Sequence, residues 1–288
     1  MLKPEPNFNQ SKNCIELDAL GTHWWVEIFG DHELPIVEAA VRGCVQGFEQ
    51  DYSRFRDDSF VGKLNQKGSL RNPPEEMLRM MQFAHSIHTA TRGIFNISVG
   101  GALVSTGYGK GKGNNIKLDF WTQTELTPNK ITIPNETQID FGGFGKGWLI
   151  DKLAKALRDL GVRHFIINGG GDIFVDAASP IEFALEHPYD PSQQIGSTSL
   201  QNGALAVSSI VKRTWRDENG QPHHHIIDTR TGESSSNDII CSFVRAESAL
   251  IADTMATVLI IDPTQNKKLS SEFKLKTILL STSQLEAK

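Results

Sequence analysis

Two oxygen-bearing side chains stand out in an apolar segment late in the chain. Asp253 and Thr257 lie four residues apart within residues 246–261, an almost entirely apolar run that predicts a helix. Positions four apart share one helix face, so the carboxylate and the hydroxyl would face the same neighbour. An ionised carboxylate in such surroundings needs a cation, a basic side chain or N–H donors. Both groups are hard oxygen ligands, which favours Mg²⁺; a salt-bridged or capping aspartate at the helix surface is the plainer alternative.

A glycine-rich turn in the middle of the chain is a second candidate for charged chemistry. Residues 142–147 read G-G-F-G-K-G, after a predicted strand that ends at 139–141 and before an apolar helical pattern from Trp148 to Leu160. The free N–H groups and the positive dipole of a helix N-terminus attract phosphate, and Lys146 would add a full charge. The spacing fits neither the Walker loop nor the dinucleotide-binding glycine motif, so a structural turn is the alternative.

Three consecutive histidines form the third candidate. His223, His224 and His225 precede an apolar pair and a turn at 228–232. Side chains alternate in direction along a strand, so the three rings cannot all bind one metal. One histidine beside a phosphoryl group can accept the proton of an attacking hydroxyl, although an isolated histidine is more often structural.

The elements that must position these side chains follow from periodicity. Residues 23–29 are aromatic and β-branched, which favours a strand, and apolar residues at helical spacing after Pro35 predict a helix. The sequence contains no internal repeat and no low-complexity linker, so we expect one α/β or α+β body. Further predicted elements are a helix after Pro73 and Pro74, and strands at 165–167 and 172–175 flanking a turn at 168–171.

Composition excludes several classes of protein. The 288 residues are 39% hydrophobic and 22% charged, as in globular proteins, and the formal net charge of -5 argues against nucleic-acid binding. The basic cluster at 107–113 reads as a solvated loop. The 3 cysteines show no spacing typical of disulfides or zinc. Neither a signal peptide nor a membrane span is evident, so we expect a cytoplasmic protein without stable membrane insertion; a periplasmic or membrane-anchored location is the alternative if a leader was removed.

Taken together and in order, these segments resemble the ApbE family of FAD:protein FMN transferases. Residues 140–147 with Asp151 are similar to the family's D-x-G-G-x-x-K-G-x-x-x-D loop, residues 225–232 to its H-x-I-D-P-x-T-G turn, and residues 252–257 to its A-D-x-x-A-T helix. The resemblance extends over about residues 19–261. Three earlier segments also resemble family motifs: Leu20-Gly21-Thr22, the stretch from Tyr52 to Asn65, and residues 93–100.

The resemblance implies an α+β fold, a two-lobed single body with mixed β-sheets and packed helices, whose flavin site lies in the cleft between the lobes. We expect a flexible segment at residues 1–13 and a single domain at 14–288. The resemblance implies that the Gly143 carbonyl, Asp253 and Thr257 hold Mg²⁺, and that His225 or Asp253 is the catalytic base. The implied flavin-binding positions are Leu20, Phe55, Asn65, Ile94, Phe95, Asn96, Asp140, Lys146 and Ile227.

The implied activity is the magnesium-dependent transfer of FMN from FAD to a Thr or Ser hydroxyl of an acceptor flavoprotein, with release of AMP. An FAD pyrophosphatase, which uses water as the acceptor, and a non-catalytic flavin-binding protein are the alternatives. The chain departs from the family pattern at Asn96, where aspartate is usual, at Thr229, where the turn has proline, and at 208–213. We expect the change at Asn96 to alter the adenine or ribose contacts of FAD.

Overall fold

A seven-stranded antiparallel sheet forms the centre of the protein. The computed structural model describes residues 13–109 and 113–286. The strands in this part of the chain are β1 (Asn13–Ala19), β2 (Thr22–Phe29), β3 (Ser69–Arg71), β4 (Glu125–Thr127), β5 (Lys130–Thr132), β6 (His164–Gly169), β7 (Asp172–Glu186), β8 (Gln194–Ser209), β9 (Thr214–Arg216), β10 (Pro222–His224), β11 (Ile239–Ala246) and β12 (Lys276–Ser281). The large sheet has the order β1-β2-β6-β7-β8-β11-β12, and two small sheets have the orders β3-β5-β4 and β10-β9.

Helices cover one face of the large sheet. Two short 3-10 helices lie at Ile97–Val99 and Pro263–Gln265. The α-helices in the described ranges are α1 (Leu34–Tyr52), α2 (Phe60–Lys67), α3 (Glu75–Ala90), α4 (Gly100–Ser105), α5 (Phe120–Gln123), α6 (Gly145–Asp159), α7 (Ala249–Ile261), α8 (Asn266–Glu272) and α9 (Thr282–Glu286). None of them is long and apolar enough to cross a bilayer.

The sheets are antiparallel because short turns join the strands that are consecutive in the chain. Leu20 and Gly21 connect β1 to β2, and Gly170 and Gly171 connect β6 to β7; all four residues have positive φ, as two-residue hairpin turns require. A Cβ at position 170 would lie 2.4 Å from Thr22 Oγ1, so glycine is needed there for space as well as conformation. The predicted α+β class is confirmed, whereas the prediction of mixed sheets is wrong because every described pairing is antiparallel.

The core lies between the sheet and α1, α3, α6 and α7. Helix α7 is its most buried element, and Val258, Leu259 and Ile260 are fully buried. Successive residues of β7 belong to opposite sides of the sheet: Phe174 packs in this core, while Ile173 and Val175 pack in a second apolar cluster with β8 and β11. An aspartate in α7 is therefore surrounded by apolar side chains, and it needs specific partners.

Most predicted elements are present, with three differences. Helix α7 begins at Ala249 rather than at 246, because Ser248 caps it by accepting a hydrogen bond from the Ile251 amide. Residues 139–141 do not form the predicted strand. Residue 13, assigned to a flexible segment, begins β1, which the sequence analysis did not predict. Residues 1–12 of that segment, and residues 110–112 of the basic cluster, lie outside the described residues.

Candidate active site

A large cavity brings together twelve of the thirteen predicted site residues. Its volume of about 1160 Å³ is slightly larger than the range usual for sites that bind small ligands. Segments that are far apart in the sequence form its wall, including the β1–β2 turn, the start of α6, and helix α7. The predicted residues that line it are Leu20, Phe55, Ile94, Phe95, Asn96, Asp140, Gly143, Lys146, His225, Ile227, Asp253 and Thr257.

Helices α6 and α7 approach each other very closely at Gly147. A Cβ at this position would lie 2.4 Å from the carbonyl oxygen of Ala249, so only glycine allows the two backbones to meet. The Gly147 amide donates a 2.9 Å hydrogen bond to Asp253 Oδ2. The Gly147 amide belongs to the first turn of α6, whose N–H groups have no partner within the helix, so Asp253 supplies the acceptor that this amide needs.

Asp151, the last residue of the loop motif, fixes the start of α7. Its Oδ1 accepts from the Ala249 amide at 2.8 Å, and its Oδ2 accepts from the Leu250 amide at 3.0 Å. These amides are among the N-terminal groups of a helix that have no partner within the helix. The aspartate of α6 therefore sets the position of α7, and with it the positions of Asp253 and Thr257.

Asp253 is a buried carboxylate with a cation and an amide as partners. Only 3% of the residue is exposed, and its Oδ1 lies 3.3 Å from Lys146 Nζ. Burial raises the pKa of Asp253 to about 6, against the opposing effect of the Lys146 charge. The partners that the sequence analysis required for this aspartate are therefore Lys146 and the Gly147 amide.

Lys146 has a second carboxylate partner that the sequence analysis missed. Asp172, the first residue of β7, is 2% exposed, and its Oδ2 lies 2.9 Å from Lys146 Nζ. Burial by itself would lower the pKa of Lys146, but Asp172 and Asp253 outweigh it and raise the pKa above its ordinary value. The signal that could have revealed Asp172 is its place directly after the glycine turn at 169–171.

The three residues predicted to hold a metal line the same cavity. A Cβ at Gly143 would lie 3.9 Å from Thr257 Cγ2, so the loop passes directly beside α7. The Thr257 hydroxyl is 3.2 Å from the Ser208 hydroxyl. A carbonyl, a carboxylate and a hydroxyl form an oxygen donor set that fits Mg²⁺ and does not suit zinc. Within the described ranges, no cluster of three or more His, Cys, Asp or Glu residues is arranged for a metal.

The three histidines have separate environments, as expected for consecutive residues at the end of a strand. His223 Nε2 lies 3.2 Å from Asp217, and His224 Nε2 lies 2.9 Å from the Ser235 carbonyl oxygen. His225 lines the cavity, and its buried Nδ1 has no hydrogen-bond partner among the residues that the structure describes. Burial, together with the nearby charge of Arg213, lowers the pKa of His225 to about 3. His225 is thus a neutral imidazole with a nitrogen free to act.

Arg54, for which the sequence analysis proposed no role, organises one wall of the cavity. Its Nε lies 2.7 Å from Asp140 Oδ2, its Nη2 donates to the Tyr108 carbonyl at 2.9 Å, and its side chain is 5% exposed. The other Asp140 oxygen accepts from the Gly142 amide at 2.6 Å. The guanidinium also lies 4.3 Å from the centroid of the Phe55 ring, which is itself 61% exposed. Phe55 is therefore free to contact a ligand at the mouth.

Asn65 is the predicted site residue that does not line the cavity. Its side-chain amide donates to the Ile139 carbonyl at 2.9 Å and accepts from the Ile139 amide at 2.8 Å. These two bonds give the Ile139 backbone the partners that a neighbouring strand would otherwise supply, so this residue is satisfied outside any sheet. Asn65 therefore fixes the backbone of Ile139, the residue before Asp140, and does not itself face the cavity.

The two single-residue departures from the family pattern form hydrogen bonds in the cavity wall. Asn96 accepts from the Ser98 amide at 3.0 Å and donates to the Lys117 carbonyl at 3.2 Å, a bond that an ionised aspartate could not donate. The Thr229 hydroxyl donates to the Gly93 carbonyl at 2.9 Å. Both side chains are almost completely buried and contribute to the structure of the wall.

The fold and the cavity together define an α+β protein whose site suits a large phosphorylated ligand. A model of the ApbE family matches residues 20–279, and the chain belongs to the ApbE family. It is similar to the FAD:protein FMN transferase of Haemophilus influenzae, with 22% identity over 274 residues that cover 84% of this chain and 78% of the relative. The enzyme of the same name from Escherichia coli K12 is 22% identical over 286 residues, with 90% and 81% covered.

Solved structures show the same fold. The ApbE protein of Thermotoga maritima superposes with a TM-score of 0.81 at 19% identity, covering 92% of this chain and 94% of that chain. The flavin transferase ApbE of Vibrio cholerae gives a TM-score of 0.78 at 19% identity, with 93% and 94% covered.

Proposed function

We propose that this protein transfers FMN from FAD to a Thr or Ser hydroxyl of an acceptor protein, with Mg²⁺ as cofactor and AMP as the leaving product. The observation that carries the proposal is the buried carboxylate of Asp253, which meets the start of α6 and Lys146 at the wall of a cavity of about 1160 Å³. Membership of the ApbE family and relatives named FAD:protein FMN transferase support it.

The metal would be held by the Gly143 carbonyl, the Asp253 carboxylate and the Thr257 hydroxyl. Bound there, Mg²⁺ would neutralise charge on the pyrophosphate oxygens of FAD. The donor set fits this role, because a backbone carbonyl, a carboxylate and a hydroxyl are all oxygen ligands.

Positive charge for the phosphates comes from Lys146 and from the first turn of α6. The Lys146 side chain is 23% exposed and lines the cavity, so its charge would act on a ligand bound there. The start of α6 adds the positive end of the helix dipole. These groups would stabilise the charge that develops as the acceptor oxygen bonds to the FMN phosphorus and the bond between the two phosphates breaks.

His225 is the better candidate for the base. Both Asp253 oxygens already have partners, the Gly147 amide and the Lys146 ammonium, whereas His225 Nδ1 lines the cavity without a partner in the described structure. We therefore assign to His225 the acceptance of the hydroxyl proton, and to Asp253 a role in holding the metal.

The flavin ring would lie against apolar residues of the cavity. Leu20, Ile94, Phe95 and Ile227 line it, and the last three are almost completely buried. Phe55 at the mouth offers an exposed aromatic face to a planar ring.

The test is to incubate the protein with FAD, Mg²⁺ and a Thr- or Ser-containing acceptor peptide, and to measure peptide mass and AMP by mass spectrometry. We expect the peptide to gain FMN as AMP appears, and Asp253→Asn, which has nearly the same shape, to lose magnesium-dependent transfer. AMP and FMN without peptide modification would instead indicate the pyrophosphatase, and intact FAD the carrier. Undiminished magnesium-dependent transfer by Asp253→Asn would contradict the metal assignment.

A further inference from the structure

The Lys146 ammonium lies between two buried carboxylates, and only one of them belongs to the proposed metal site. Nζ is 2.9 Å from Asp172 Oδ2 and 3.3 Å from Asp253 Oδ1. The two carboxylate side chains are 3% and 4% exposed, so water screens neither of them well. One positive charge therefore serves two buried negative charges, and the ammonium is closer to Asp172.

Asp172 is held by the sheet and not by the metal loop. It is the first residue of β7, and its Oδ1 accepts a 3.0 Å hydrogen bond from the Val207 amide of β8. Its Oδ2 is buried, and the ammonium is the cation that reaches it. The large sheet thus presents this carboxylate to Lys146, whereas helix α7 presents Asp253.

A divalent cation on Asp253 would compete with Lys146 for the same oxygen. The ammonium is 3.3 Å from Asp253 Oδ1, and two cations at one oxygen repel each other strongly in a poorly screened site. The lysine stem is flexible and its side chain is 23% exposed, so the ammonium can shift without unfolding the helix. Asp172 is already in contact with the ammonium, so the ammonium keeps one carboxylate partner when it moves away from Asp253.

We propose that Lys146 is an exchangeable counter-ion of Asp253 and that Asp172 is a positioning residue that retains the ammonium when a divalent cation binds. This inference rests on the proposed function, because it requires the metal site. Without metal, Lys146 neutralises Asp253; with metal, Lys146 and Asp172 remain as a pair of opposite charges beside the loaded site.

Two substitutions move the metal affinity in opposite directions. Asp172→Asn removes the alternative partner, so Lys146 stays on Asp253 and Mg²⁺ binding weakens. Lys146→Met removes the competing cation, so Mg²⁺ binds more tightly, while the metal-free protein loses stability because two buried carboxylates are left unneutralised. We expect each change in the dissociation constant to be at least about tenfold.

A matched control lies on the same helix. Lys152 pairs with Glu76 at 2.7 Å, away from the cavity, so Lys152→Met makes the same chemical change without touching the proposed site. We expect Lys152→Met to leave the Mg²⁺ dissociation constant unchanged.

In the experiment, the full chain is titrated with MgCl₂ in the absence of flavin, and calorimetry measures the dissociation constant. Thermal unfolding is then measured with and without the metal. Lys146→Met should show a larger magnesium-induced rise in Tm than the wild type, and Asp172→Asn a smaller one. If the wild-type protein does not bind Mg²⁺, the proposed metal site itself fails. If the wild type binds Mg²⁺ and Lys146→Met binds it equally well or more weakly, the counter-ion inference is overturned while the metal site stands. The Lys146→Met variant is expected to bind Mg²⁺ more tightly. It therefore tests the inference even if Asp172→Asn does not fold.

Discussion

The close approach of α6 and α7 predicts that Gly147→Ala damages both stability and the metal site. The new Cβ would lie 2.4 Å from the Ala249 carbonyl oxygen, whereas an ordinary contact begins near 3.4 Å, so the two backbones must part by about 1 Å. Overpacking of this kind costs about 1–3 kcal/mol, and weakening the 2.9 Å bond to Asp253 costs about 1.5–3 kcal/mol. The better helix propensity of alanine returns about 1 kcal/mol.

The expected net loss is about 1.5–5 kcal/mol, or a Tm about 3–20 °C lower for a chain of this size. The matched control is Gly43→Ala in α1, an exposed helical position with no atom within 4 Å of the new Cβ. We expect that variant to gain about 0.5–1 kcal/mol from the same chemical change. Thermal unfolding and magnesium titration measure both effects. A Gly147→Ala protein with wild-type Tm and wild-type Mg²⁺ affinity would refute the argument that this contact positions Asp253.

Three further predictions concern supporting residues and pH. Asn65→Ala removes both hydrogen bonds to the Ile139 backbone, so it should lower the free energy of unfolding by about 1–3 kcal/mol and weaken FAD binding. Denaturant unfolding and flavin titration measure the two effects, and unchanged stability would contradict the assigned role of Asn65. Burial alone would raise the pKa of Glu76, but bonds from Lys152 and other donors hold it below its ordinary 4.5, so its stabilising contribution is present above 4.5 and is lost as pH falls. The Tm difference between Glu76→Gln and the wild type should therefore shrink below that pH, and a constant difference would argue against the ion pair. Because burial lowers the pKa of His225 to about 3, an NMR titration should show its imidazole still neutral where a free histidine titrates, near 6.5, and a His225 signal that titrates there would contradict a neutral His225.

The central contacts of the site could be predicted because they follow from local spacing. The helical period places Asp253 and Thr257 on one face of α7, and the loop motif places Gly143 and Lys146 at the start of a helix. A buried carboxylate required partners, and the structure supplies them.

The parts that were missed depend on partners far away in the sequence. Asp172 and Arg54 are informative only through Lys146 and Asp140, which no local period brings near them. Residues 139–141 were predicted as a strand, because periodicity does not reveal that the Ile139 backbone bonds to the side-chain amide of Asn65 and not to a neighbouring strand. The alternation in β1 was available in the sequence, since Ile15 and Ala19 are buried between polar residues.

The bond from Thr229 to the Gly93 carbonyl has a consequence for how a ligand reaches the cavity. This hydrogen bond links the turn after the histidines to a segment 136 positions earlier in the chain. The cavity is lined by Ile227, which is close in sequence to Thr229, and by Ile94, which follows Gly93. A proline at 229 would have no hydroxyl to make this link. Because the wall is pinned here, it cannot spread apart to admit a bulky ring, and we expect entry at the rim where Phe55 is exposed. Replacing Thr229 by Pro should then change the rate of flavin association more than the final position of the ring.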